Sequence, residues 1–192
     1  MKNFNLQRRT QGFTLVELLI VVIILGIIMA IVVMNIVGNT TAARAKMLQR
    51  TAQATAQNVN LLSLTCGTST SILNSPIPAS GKTMADVVFG GTENVATAYQ
   101  TCYNQSSVRS MRDGMSRIGN TWQVESYPVT LSGGGNDKII VTFQNVPDEV
   151  VLSLAQRFDG SITALAGSDT TSDVVRYTAA SSGTRTATVR VN

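Results

Sequence analysis

The sequence predicts an α+β fold in which a long N-terminal helix forms a spine that packs against an antiparallel β-sheet head. Three observations lead to this class: an apolar run over residues 18–34, an amphipathic helical pattern that continues to about residue 64, and alternating strand patterns after residue 119. At 192 residues the chain has room for one domain and an appendage. The predicted segments are a helix over 13–64 and a head over 65–192.

The apolar part of the helix is predicted to cross a membrane. Residues 13–34 are long enough, because about 20 apolar residues span the hydrocarbon core of a bilayer. Lys2, Arg8 and Arg9 precede this run and no acid precedes Glu17, so the N-terminus is predicted in the cytoplasm and the head outside. Without these three of the 15 basic residues the formal net charge falls from +4 to +1, so the basic character is not a nucleic-acid signal.

Glu17 is the one acid at the edge of the apolar run. A carboxylate inside a bilayer costs roughly 2.5–3.5 kcal/mol on insertion scales, which makes an acid in this position a functional hypothesis by default. The alternative is a helix-start acid at the membrane interface, where the N-terminal helix dipole favours negative charge.

Residues 35–64 are predicted to continue the helix with one apolar face. The segment is rich in Ala, Gln, Met and Leu, which are compatible with a helix. Apolar residues recur at spacings of three and four, and the predicted buried face consists of Ala45, Leu48, Ala52, Ala56, Val59 and Leu62. The helix is predicted to have a weak point at 39–41 and to stop near Cys66 and Gly67.

Cys66 and Cys102 are the only cysteines, and both fall on the side that the charge pattern assigns to an oxidising compartment. An intrachain disulfide is the leading prediction, and it would contribute on the order of 3–4 kcal/mol in the chain-entropy model. The alternatives are two free thiols or an intermolecular bridge.

The head is predicted to begin with a connecting region over 65–118, which holds short helical pieces at 84–88 and 108–115. The sheet is predicted over 119–192, with a helix at about 147–158 that has Pro147 near its first position and stops at Asp159 and Gly160. Trp122, Tyr127 and Phe143 are predicted to be core residues. Alternating or β-branched patterns predict strands over 121–131, 138–143, 161–166, 173–178 and 185–191.

Residues that would carry catalysis are missing from the pattern. The sequence has no histidine, so the commonest general base and metal ligand is unavailable. Gly133 to Gly135 lack the Lys-Ser/Thr of a phosphate loop and are predicted as a hairpin turn. Arg109, Arg112 and Arg117, with Asp113 among them, are interpreted as a solvated face or a subunit contact. We therefore expect no enzyme, no cofactor and no metal site.

The stretch GFTLVELL, residues 12–19, resembles the class III signal of type IV pilins and of the related secretion-system pseudopilins. The resemblance implies a leader over 1–12, cleavage after Gly12 and methylation of the new N-terminus at Phe13. Glu17 is then the fifth residue after the cut, where that family has a glutamate. In the family it pairs with the terminal amine of a neighbouring subunit and sets the register of assembly, with residues 13–34 as the filament core.

The head also has a family resemblance. A Trp-containing strand, a second strand and a helix begun by Val-Pro resemble the head of type IVb pilins, whose helix often carries a cysteine that bridges to the C-terminal region. Here that helix has Val150, Val151 and Leu152 instead, so a Cys66–Cys102 bridge would be a different one. Many type IVa pilins have a proline in the apolar segment where this chain has Met34.

The resemblance implies a self-polymerising pilus subunit, processed by a prepilin peptidase and methylase and assembled by an inner-membrane platform with its ATPase. The precursor would be a single-pass inner-membrane protein and the mature chain part of an extracellular fibre, with a host or surface ligand unknown. The alternatives are a type II secretion pseudopilin, a minor pilin that initiates fibres or binds a ligand, and a signal-anchored receptor domain. The acid-free tail SGTRTATVRVN argues against the major pseudopilin, whose C-terminal region often holds an acidic calcium loop.

Overall fold

The computed structural model describes residues 14–68, 72, 75–106, 108, 111, 114–134 and 138–191, and for residues 31 and 33–39 it describes the backbone only. The chain divides into two units, Met1–Thr40 and Thr41–Asn192, which we call the N-terminal and C-terminal units. A long N-terminal helix is followed by an antiparallel sheet and further helices. The predicted α+β class is confirmed.

Helix α1 comprises Leu15–Cys66, so it ends where the sequence predicted a stop, near Cys66 and Gly67, and two residues past the predicted segment limit of residue 64. Its end is a Schellman motif, in which Thr68 N–H donates to the Ser63 carbonyl at 2.9 Å and Gly67 N–H to the Leu64 carbonyl at 3.3 Å. Gly67 has φ +62°, a left-handed conformation that glycine adopts without steric cost. The glycine therefore determines where the helix stops.

The predicted apolar face of α1 is the buried face. Each of its side chains is at most 1% exposed: Ala45, Leu48, Ala52, Ala56, Val59 and Leu62. These side chains belong to one hydrophobic core with the sheet and with the segment around Phe89. The packing of the helix on the sheet follows from this shared core.

In the N-terminal unit the described apolar side chains are exposed. Leu15 is 84% exposed, and the large apolar side chains from Val16 to Met29 are all at least 49% exposed. Among the residues searched, which are the described ones, no helix meets the combined length and hydropathy of a membrane span. The span predicted over 13–34 is not confirmed.

The described strands form one six-stranded antiparallel sheet in the order β1-β2-β3-β4-β6-β5. Their bounds are β1 Ser116–Ile118, β2 Thr121–Val124, β3 Tyr127–Gly133, β4 Ile139–Pro147, β5 Val175–Tyr177 and β6 Thr184–Val191. The C-terminal strand β6 thus lies between β4 and β5. Its partner β4 is distant from it in sequence.

The single strand predicted over 121–131 is wrong, because a two-residue turn divides it into β2 and β3. Val124 pairs with Tyr127, and Glu125 between them has φ +52°. The phase of burial shifts across the turn, since Trp122 and Val124 are buried before it and Tyr127 and Val129 after it. Trp122, Tyr127 and Phe143 are core residues, as predicted.

The strand predicted over 161–166 is also wrong. Asp159 draws the chain into a turn, because its carboxylate accepts hydrogen bonds from the Ser161 amide at 2.9 Å and the Ser161 hydroxyl at 2.6 Å. Further along, the carbonyl groups of Ala166 and Gly167 accept from the Arg185 side chain instead of from a neighbouring strand. Local side-chain bonds have replaced a sheet ladder here.

Helix α3, Asp148–Phe158, follows β4 directly and confirms the predicted helix. Pro147 is the residue before the helix rather than its first residue, and it is also the last residue of β4. The helix buries Val150, Val151 and Leu154 against the sheet.

The connecting region holds more helical structure than predicted. The piece predicted at 84–88 is present and extends to a wide helical turn over Asp86–Gly90. Helix α2, Gln100–Gln105, was not predicted. Half of the piece predicted at 108–115 lies outside the described residues; of the four described, 108, 111 and 115 are not helical and Gly114 belongs to a 3-10 turn.

Candidate assembly site

The first turn of α1 is closed by a reciprocal pair of side-chain contacts between Thr14 and Glu17. The Thr14 hydroxyl accepts a hydrogen bond from the Glu17 amide at 3.2 Å. The Glu17 carboxylate accepts from the Thr14 amide and hydroxyl, each at 3.4 Å. This is a capping box, which satisfies helix-start N–H groups that have no partner within the helix.

The carboxylate of Glu17 lies on an exposed apolar surface. Its described neighbours on the same turns, Val16, Leu18 and Leu19, are each at least 55% exposed. A helix that is apolar on all sides is normally covered by lipid or by protein. The start of α1 therefore combines the Glu17 carboxylate with an exposed apolar surface of the kind that lipid or protein normally covers.

Gly12 and Phe13, the predicted residues of cleavage and methylation, lie outside the described residues. Their roles stay predictions, as does the assembly role of Glu17. The helix-start explanation of Glu17 accounts for its hydrogen bonds to Thr14, but those bonds need only one of its two carboxylate oxygens.

Cys66 and Cys102 form a disulfide, with their Cα atoms 5.3 Å apart and a sequence separation of 36. The bridge joins the last residue of α1 to helix α2. It is the intrachain bridge that the sequence predicted, and neither cysteine is a free thiol.

Two buried polar centres were missed at the level of sequence. In one, the Asp86 carboxylate accepts from the Trp122 indole at 2.9 Å and contacts the Arg117 guanidinium at 3.3 Å. In the other, Arg185 pairs with Asp148 at 3.0 Å and donates to three backbone carbonyl groups. No spacing rule could reveal them, because the partners are 36 and 37 residues apart in the chain.

Both centres hold loops onto the sheet. Of the predicted basic cluster, Arg117 is the described member, and its guanidinium also lies 5.3 Å from the Trp122 ring centroid. In the described part of the chain no three His, Cys, Asp or Glu side chains come together as a metal site.

Residues 7–33 match the family model of the prokaryotic N-terminal methylation motif. This match confirms the resemblance to the class III signal of type IV pilins and supports a precursor of the pilin or pseudopilin type. The motif points to a structural protein, to processing by a prepilin peptidase and to assembly in a pilus-type system. Comparison of the chain with curated proteins and with solved structures found no match.

Proposed function

We propose that the chain is a fibre-forming subunit of a type IV pilus, made as a membrane-anchored precursor and polymerised through the N-terminal part of α1. The observation that carries this proposal is the methylation motif over residues 7–33 on a helix start whose apolar side chains are exposed. Lipid would cover that surface before assembly, and the same segment of other subunits would cover it afterwards.

Cleavage after Gly12 would create a positively charged amine on Phe13, about 6 Å along the helix from Glu17 at 1.5 Å per residue. In a bundle of apolar helices, an amine of one subunit and the Glu17 carboxylate of the next are far more stable as a pair than apart. The pair therefore sets the axial register of assembly. Phe13 is proposed as the methylated residue, which a methylase modifies without removing this charge.

A type II secretion pseudopilin is the second candidate, because the methylation motif is shared by both classes. The C-terminal residues argue for the pilus. They form strand β6, which contains no acid and pairs with β4 and β5 rather than forming a calcium-binding loop.

The capping role and the register role of Glu17 can be separated by substitution. Glu17→Gln keeps the hydrogen-bonding side chain that a capping box can use but removes the charge, whereas Glu17→Ala removes both. Thr14→Ala removes the cap and keeps the charge, at a cost of about 1 kcal/mol to the helix start. We expect both Glu17 variants to be cleaved normally and excluded from fibres, and Thr14→Ala to assemble.

The measurement is made on cells that supply the peptidase and the assembly machinery. Intact mass of the chain reports cleavage after Gly12 and methylation of Phe13, and fibres sheared from the cells report incorporation. Fibres that contain Glu17→Gln at the wild-type level would show that capping, not charge, is what Glu17 provides. A wild-type chain that keeps its first 12 residues would overturn the pilus proposal itself.

A further inference from the structure

An open groove lies between the end of α3 and strand β5, with a volume of about 430 Å³. Its walls mix apolar and acidic side chains, among them Phe158, Asp159, Ile162, Asp169, Ser172 and Val174. We call it the acidic groove. At about 30 Å³ per water molecule it has room for on the order of ten waters, enough for a long side chain from another molecule.

The two carboxylates of the acidic groove are held by their own loops through one oxygen each. Asp159 Oδ1 accepts from Ser161, and Asp169 Oδ1 accepts from the Thr171 amide at 2.9 Å and the Ser172 amide at 3.0 Å. Within the described chain, Oδ2 of neither aspartate accepts a hydrogen bond and neither carboxylate forms an ion pair. Each aspartate therefore has one carboxylate oxygen that can accept a hydrogen bond from another molecule.

Both carboxylates keep their charge in mild acid. The hydrogen bonds from the Ser161 hydroxyl and amide lower the pKa of Asp159 below its ordinary value. The Thr171 and Ser172 amides lower the pKa of Asp169, with a smaller contribution from the nearby Arg176 guanidinium. The groove therefore offers negative charge beside apolar wall, which suits a lysine or arginine whose stem is apolar and whose end is cationic.

A complementary surface lies on the exposed face of α1. Lys46 and Arg50 are exposed there, one turn apart, and the sequence contains no acid between Glu17 and Asp86. In the described chain neither of these two side chains forms an ion pair, whereas the adjacent Arg44 pairs with Glu125 at 3.5 Å. We call Lys46 and Arg50 the basic stripe.

The two surfaces lie at the same end of the C-terminal unit. Arg157, two residues before Asp159, donates a hydrogen bond to the Ala42 carbonyl at 3.1 Å. Lys46 follows Ala42 by one helical turn. In two copies that stand side by side in the same orientation, the groove of one and the stripe of the other therefore lie at nearly the same height along α1.

We propose that the acidic groove of one copy receives the basic stripe of a second copy. The contact joins two different surfaces of the same chain, and such a heterologous contact repeats without closing unless a rotation forms a ring, which is the geometry of a filament. This inference rests on the proposed function and adds to it a lateral interface formed by the C-terminal units. Because the charges are exposed, salt should weaken the contact.

The test is zero-length carbodiimide cross-linking, which joins a carboxylate to an amine only when they are in contact. Equal amounts of isotope-labelled and unlabelled full-length chain are mixed in detergent, and fibres sheared from cells are cross-linked separately, where two joined chains are recognised by their doubled mass. We expect peptides that join Lys46 of one chain to Asp159 or Asp169 of a chain with the other isotope label. Arg50→Lys should add a second cross-link of the same kind, because it supplies an amine at the neighbouring position.

Lys46→Gln, or Asp159→Asn combined with Asp169→Asn, should abolish the Lys46 cross-link between labelled and unlabelled chains. Lys82→Gln is the matched control, because Lys82 is an exposed lysine away from the stripe, and it should leave that cross-link unchanged. The proposal is overturned by cross-links only within single chains, by cross-links between chains only through Lys82, or by no cross-link at all. If fibres form but lack the Lys46 cross-link, the proposed interface is wrong and the pilus function is still supported. If the cross-link forms in detergent but no fibres are found, the interface is supported and the pilus function is not.

Discussion

The carboxylate of Asp86 lies between two parts of the chain that are remote in sequence. It accepts hydrogen bonds from the Thr83 amide and hydroxyl on its own segment and from the Trp122 indole on β2, each at 2.9 Å. Arg117 on β1 completes the group. Burial by itself would raise the pKa of Asp86, but these hydrogen bonds and the Arg117 charge outweigh it and hold the pKa below 3.8.

Asp86→Asn tests how much the charge of the Asp86 carboxylate contributes to stability. It keeps the shape of the side chain but removes the charge, and it leaves the Arg117 guanidinium without its partner. We expect it to lower the free energy of unfolding by about 1–3 kcal/mol at neutral pH. Heating the full chain in detergent while following the fluorescence of Trp122, the only tryptophan, measures the effect where it occurs.

The pH dependence has a definite sign. The folded-state pKa of Asp86 is below its ordinary value of 3.8, so its stabilisation is present above pH 3.8 and is lost as the pH falls through the folded-state pKa. The difference between Asp86→Asn and wild type should therefore shrink in strong acid. Glu93→Gln changes an exposed acid of the same region and is the control. Its stability should match that of wild type at neutral pH and in strong acid.

Among the elements, helix α1 serves two environments with one secondary structure. From Ala45 to Leu62 it is amphipathic, and its apolar face is part of the core. From Leu15 to Met29 its large apolar side chains are exposed on every side. The segment from Ala45 to Leu62 buries its apolar face within one chain, whereas the apolar side chains from Leu15 to Met29 stay exposed.

Leu48→Ala tests the buried face of α1. Leu48 is fully buried, so its truncation should lower stability by about 2–5 kcal/mol through lost burial and the cavity left behind. Leu64 lies on the same helix but is 76% exposed, and Leu64→Ala should change stability by no more than about 0.5 kcal/mol. Thermal unfolding of the two full-length variants makes the comparison, and equal losses would contradict the assigned face.

Within the C-terminal unit, one core unites residues 45–62 of α1, the connecting region, the sheet and α3. The connecting region is tied to this core at two points, by the Cys66–Cys102 disulfide and by the Asp86 carboxylate. The C-terminal unit also depends on the pairing of β4 with β6, which places residues distant in sequence, such as Phe143 and Ala187, opposite each other.

Reduction of the disulfide should loosen the connecting region. The bridge closes a loop of 36 residues, and its loss should lower stability by about 3–4 kcal/mol in the chain-entropy model. Melting of the full chain with and without reductant measures this, and Cys66→Ser with Cys102→Ser is the control that should not respond to reductant. An unchanged melting temperature on reduction would show that the bridge contributes nothing.

Local patterns in the sequence are enough to predict the features that depend on near neighbours in the chain. The buried face of α1 follows from spacings of three and four, its end from Gly67, and α3 from the turn signals around it. The methylation motif is equally local, since its leader, Glu17 and apolar run are contiguous. In these elements the residues that set the helical spacing or cap the helix end lie within a few positions of one another, so they can be found without knowledge of the fold.

Which distant groups meet follows from the folded arrangement of the chain and not from local patterns. The order that places β6 beside β4 depends on partners that the local pattern does not contain, and so do the bonds from Arg185 to the Ala166 and Gly167 carbonyl groups at the end of the lost strand. The same holds for Asp86 with Trp122 and for the acidic groove, whose two aspartates come from opposite ends of a loop. Their positions are set by the packing of the whole C-terminal unit, because a buried or clustered charge is stable only where the rest of the fold supplies its partners.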